Sequence, residues 1–93
     1  MTTKDYCIMT LKGWLETASI SADTATKARL SQIILSAKDI SDGYFAKIEP
    51  HYEPVTHQFL LATAELNDGI VAGTTTAKNF DEYISLLVAR LQS

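Results

Sequence analysis

The sequence predicts an all-α fold, a small antiparallel four-helix bundle. Apolar side chains recur at helical intervals in four blocks, each block is bounded by residues that start or stop helices, and the connections between blocks are short. The expected helices lie near residues 4–19, 23–48, 54–70 and 79–92 of the 93-residue chain, read as one helical domain over 1–93.

In the first block, Cys7, Ile8, Leu11, Trp14, Leu15 and Ala18 fall in one stripe when residues are placed at 100° intervals. That is the pattern of a surface helix facing a core. Tyr6, Met9 and Gly13 lie on the opposite side, where the glycine costs about 1 kcal/mol relative to alanine. "SISAD" at 19–23 marks a break, with Ser21 or Asp23 able to cap the next helix.

From Thr24 onward, Leu30, Ile33, Ile34, Ala37, Ile40, Tyr44, Phe45 and Ile48 hold a single stripe whose phase survives Gly43. One long helix follows, bent at most at "DG", and Pro50 is expected to end it because its ring disfavours helical geometry at Glu49. This helix would span about 37 Å, longer than its partners, so Tyr44, Phe45 and Ile48 would overhang them.

The third block is expected to begin near Pro54, a residue pre-set for a first helical turn. Val55, Phe59, Ala62, Leu66 and Ile70 form one stripe, and Leu60, Ala64 and Val71 form a second. A helix apolar on two sides is either the central helix of a bundle or half of a subunit interface. Its end is expected between Asp68 and Ala72, with "GTTTAK" as loop; a cap at Gly69 and a turn into a short strand over 70–76 are the alternatives. In the last block Asn79 and Glu82 have capping-box spacing, and Phe80, Tyr83, Ile84, Leu87, Val88 and Leu91 make one face.

Candidate chemistry is sparse. "EPHYEPVTHQF" at 49–59 gathers both histidines, so His51, Glu53 and His57 are the only candidate metal ligands or acid/base set. Ligating histidines on a helix sit at i, i+4, whereas these are six apart and divided by Pro54. A corner between helices, exposing His51, Tyr52 and Glu53, is the simpler reading. Cys7 lies inside an apolar stripe, where a thiol is inert. No G-x-S-x-G elbow or phosphate-binding loop is present. No metal, cofactor or catalytic residue is therefore assigned, and the reading is of a non-enzyme.

Composition narrows the partners. A hydrophobic fraction of 46 % with 20 % charged residues is that of a globular protein. The net charge of −3 gives no footprint for phosphate backbones or anionic lipid. Residues 24–48 carry a local +2 from Lys27, Arg29, Lys38 and Lys47 against Asp39 and Asp42, but these do not line one side. A lone cysteine, no signal-peptide core and no membrane-spanning run give an expectation of a cytoplasmic protein.

Three functions remain as expectations. The first is a protein–protein interaction module of the inhibitor, adaptor or secretion-chaperone type. It would act through exposed apolar helix surface as a homodimer, with Tyr44, Phe45, Ile48, Leu60 and Val71 at the partner or dimer interface. The second is a nucleic-acid-associated regulator using the basic second helix, which the charge pattern argues against. The third is a metal-dependent enzyme around His51, Glu53 and His57.

Overall fold

In the computed structural model, which describes residues 2–52 and 55–92, the chain is all-helical. Five α-helices follow in order: α1 (Thr3–Ser19), α2 (Thr24–Leu35), α3 (Asp42–Tyr52), α4 (His57–Ala72) and α5 (Phe80–Gln92). A short 3₁₀ turn, Ser36–Asp39, joins α2 to α3, and no strand occurs among the described residues.

Side-chain caps start four of the five helices. The Thr2 hydroxyl accepts from the Asp5 amide while the Asp5 carboxylate accepts from the Thr2 amide, closing a capping box on α1. Asp23, rather than Ser21, caps α2 by accepting the Thr26 amide at 2.7 Å. Thr56 caps α4 by accepting the Phe59 amide, and Asn79 caps α5 by accepting the Glu82 amide. Gly73 ends α4 in the left-handed conformation with φ 81°, so neither a cap at Gly69 nor a strand over 70–76 forms, and the helix expected to end between Asp68 and Ala72 ends at Ala72 and gives way to a loop.

The single long helix expected over 23–48 is two helices. Ile40 leaves helical geometry at φ −67°, ψ 136°, and α3 restarts at Asp42. The break is held from outside: the Ser36 hydroxyl donates to the Ile33 carbonyl and accepts the Phe80 amide, the first residue of α5. An ion pair between Lys4 and Asp42 ties the start of α3 to the start of α1. Ala37 before the break, Ile40 at it and Ile48 beyond it are all buried, so the apolar stripe still faces the core on both sides. There is accordingly no 37 Å helix and no overhang.

Two further expectations are corrected at the 49–57 corner. Pro50 does not end its helix; it sits in the last turn of α3, which continues to Tyr52. The lost amide bond is offset by tertiary contacts, since Tyr52 is buried rather than exposed. Its ring meets Phe59 edge-on at 5.3 Å, and its hydroxyl lies 3.1 Å from that of Thr10. The Thr10 hydroxyl donates to the Tyr6 carbonyl, which leaves it to accept from Tyr52. The helix start expected at Pro54 falls partly outside the described residues; Val55 and Thr56 precede α4, whose first residue is His57.

One apolar cluster draws on every helix, with Leu11, Leu15, Leu30, Ile33, Ile48, Phe59, Leu66, Phe80, Tyr83 and Leu87 at its centre. α5 packs against α2, the 3₁₀ turn, α3 and α4, while α4 packs chiefly between α1 and α5. The central position the periodicity offered to α4 belongs to α5. Inside the core, the Tyr83 hydroxyl donates to Asn67 Oδ1 at 2.7 Å, and Thr63 donates to the Phe59 carbonyl at 2.8 Å.

A candidate interaction surface on α4

With one side of α4 turned to α1 and α5, a second apolar face is left over. Leu60 is 44 % exposed and Leu61 50 %, Ala64 and Ala72 are exposed, and Val71 is half-buried. At 100° per residue these occupy the side of the helix opposite Leu66 and Ile70, with only His57 and Asp68 as polar interruptions. The sequence-level stripe of Leu60, Ala64 and Val71 is this face. Leu61 was missed there because it lies between Gln58 and Glu65, along what reads as a polar edge.

Beside this face runs a groove of about 300 Å³ between α1 and α4, lined by Trp14, Thr17 and Ala18 on one wall and by Leu60, Thr63 and Ala64 on the other. Trp14 is half-buried and leans on Phe59, with ring centroids 6.0 Å apart. Three polar side chains here are already engaged: Thr17 donates to the Gly13 carbonyl, Thr63 donates to the Phe59 carbonyl, and Asn67 Oδ1 accepts from Tyr83. No buried side-chain nitrogen or oxygen among the described residues lacks a partner. Such a groove offers shape and apolar area, not donors or nucleophiles. Asp68 at its edge supplies one negative charge.

The five interface residues expected from the sequence do not share this surface. Ile48 is fully buried and belongs to the core, which removes it from any exposed interface. Tyr44 and Phe45 are half-buried against the core, and Tyr44 lines a separate shallow pocket with Ser41, Gly43 and Lys47. The Lys47 ammonium lies 5.8 Å from the Tyr44 ring centroid. Leu60 and Val71 are on α4.

The histidine cluster is not assembled into a site. His51 lies in the last turn of α3, its carbonyl accepting from the Thr56 hydroxyl at 2.9 Å, while His57 opens α4 and is exposed. Glu53 lies outside the described residues. Among the described residues no group of three or more His, Cys, Asp or Glu side chains is placed to hold a metal ion. Burial pushes the Cys7 thiol up to about 12, so it stays protonated and unreactive at neutral pH.

The basic helix expected over 24–48 is divided among three elements, Lys27 and Arg29 on α2, Lys38 in the 3₁₀ turn and Lys47 on α3. No helix among the described residues is long and apolar enough to cross a membrane. No family model, no curated protein and no solved structure matches this chain.

Proposed function

We propose that this chain is a non-enzymatic protein-interaction module, of the inhibitor, adaptor or chaperone kind, that binds its partner on the outer face of α4. The observation that carries the reading is the run of Leu60, Leu61 and Ala64 left exposed beside a mainly apolar groove in which no buried polar side-chain atom among the described residues lacks a partner. A contiguous apolar patch bordered by a cleft is the common form of a protein-docking surface. The matching partner is an amphipathic helix that lays an aliphatic or aromatic side chain between Trp14 and Leu60 and brings a cation to Asp68.

The test compares two baits, the wild-type chain and Leu61→Glu, in pull-downs from the source cell. Position 61 is solvent-facing, so the variant should melt as the wild type does. A protein recovered by the wild type and lost with Leu61→Glu supports the reading. Recovery of nothing, or equal recovery by both baits, sinks it.

A further inference from the structure

We infer that α3 exchanges between two copies of this chain: residues 36–41 straighten, α2 and α3 join into one helix, and each copy's α3 docks in the place that the other's has left. This goes beyond the α4 reading, because it uses no exposed face and the outer side of α4 takes no part in it.

Little in the local sequence imposes the break between α2 and α3. No proline lies between Ser36 and Asp42, and no residue there has a positive φ. The backbone bonds at the break are long. The Ile40 amide to the Ala37 carbonyl and the Phe45 amide to the Ser41 carbonyl both span 3.4 Å, beyond the usual distance of about 2.9–3.0 Å. α3 is also the helix that starts without a side-chain cap, since the Ser41 hydroxyl makes no hydrogen bond among the described residues. The Asp42, Gly43 and Tyr44 amides have no acceptor among them either. In a continuous helix the carbonyls of Lys38, Asp39 and Ile40 would receive them. Two ties from outside hold the bend, the Ser36 hydroxyl on the Phe80 amide and the Lys4–Asp42 pair, whose carboxylate is exposed and contributes little.

The phase suits a straight form. At 100° per residue the buried side chains of Leu30, Ile33, Ala37, Ile40, Ile48 and Tyr52, which belong to three separate elements, fall within about 120° of arc. Two helices joined by a non-helical link have no need to share a phase. One straight helix with an end on each of two cores does.

The occupant follows from what α3 leaves behind. Withdrawing it bares Ile48, Tyr52 and the Phe59 ring on which Tyr52 packs, so an opened monomer is unstable. The vacated place is complementary to α3, and a second copy carries the identical segment. A two-fold exchange therefore restores the contacts of α3 outside the link. The Lys4–Asp42 pair then forms between the copies rather than within one. Because α3 must leave its core first, exchange takes place on refolding at high concentration and reverses slowly.

Refolding from denaturant at about 1 μM and at about 1 mM, followed by light scattering after dilution, tests this. The dilute arm should give monomer, and the concentrated arm a dimer that persists on dilution. A carbodiimide, which joins a carboxylate to an amine in contact with it, should link Lys4 to Asp42 within one chain in the monomer. In the dimer the same linked peptide should come from a covalent dimer on a denaturing gel. Asp42→Pro suits the first position of α3 but breaks a helix interior, so it should melt as a folded monomer and give no dimer in either arm. Ser41→Ala favours helix at the link and should raise the dimerisation constant, measured after annealing, about fivefold. Leu61→Glu should leave the dimer unchanged. A concentrated arm that stays monomeric overturns the inference. So does a dimer that Asp42→Pro forms as readily, one that Ser41→Ala does not favour, one whose Lys4–Asp42 link stays within single chains, or one that Leu61→Glu abolishes.

Discussion

Two glycines on two helices should respond in opposite directions to the same added methyl group. At Gly13 the new Cβ meets nothing within 4 Å. Gly13→Ala therefore collects the full difference in helix propensity, about 1 kcal/mol in favour of the folded state. For a chain of this size that raises the melting temperature by about 4–8 °C. At Gly69 the same atom would lie 2.6 Å from Thr75 Oγ1 and 3.2 Å from Thr75 Cβ. That threonine belongs to the segment closing α4: the Thr74 and Thr75 amides both donate to the Gly69 carbonyl, at 2.9 and 3.1 Å. Gly69→Ala gains the same propensity but must displace this cap, and overpacking of that kind costs about 1–3 kcal/mol. The net is a change between neutral and a loss of about 2 kcal/mol. Thermal melts by circular dichroism, at a dilution where the chain is monomeric, measure both. If Gly69→Ala stabilises as much as Gly13→Ala, or if Gly13→Ala destabilises, the packing argument at both positions is wrong.

Other expectations concern buried polar groups and caps. Tyr83→Phe removes the donor to buried Asn67 Oδ1 and should cost about 1–3 kcal/mol in denaturant unfolding, largely recovered by adding Asn67→Leu; a loss under about 0.5 kcal/mol refutes this. Burial holds the Tyr83 phenol far above its ordinary range, so native protein should show no Tyr83 ionisation step in alkaline absorbance titration before it unfolds. Cys7, raised to about 12 by burial, should resist a thiol reagent at pH 8 until denaturant is added; rapid labelling of the native chain would contradict its placement. Asp5 and Asp23 are held below their ordinary value of 3.8, first by the backbone amides of Thr2 and Thr26 respectively. A folded-state value that is depressed contributes stability above the ordinary value and loses it as pH falls through the folded one. Wild type should therefore lose more melting temperature than Asp23→Asn between about pH 5 and about pH 2, and parallel curves would exclude the effect.

Helix type and most core positions were legible in the chain because both are local. The stripes of Cys7, Leu11 and Leu15, of Phe59, Leu66 and Ile70, and of Phe80, Tyr83 and Leu87 are buried as their 100° spacing required. So was the Asn79 cap, which needs only a side chain three residues from the amide it receives, while the cap of α2 was narrowed to Ser21 or Asp23 and is Asp23. Boundaries set by distant partners were not legible. The break at Ile40 depends on Ser36 receiving the Phe80 amide, 44 residues away. The continuation of α3 past Pro50 depends on Tyr52 finding Thr10 and Phe59.

The candidate surface divides along the same line. The sequence alone determined that α4 carries more apolar surface than one core contact needs, and that Gly13 sits opposite the core stripe of α1, because both are properties of one helix viewed down its axis. Only the tertiary structure decided that Ile48 is core while Leu60 and Leu61 face solvent, that Trp14 and Leu60 border one groove, and that a Cβ added at Gly13 would meet nothing within 4 Å among the described residues. The physical reason is that periodicity states which residues share a face. Which faces are covered depends on how five helices pack, and that is settled by contacts between residues far apart in the chain.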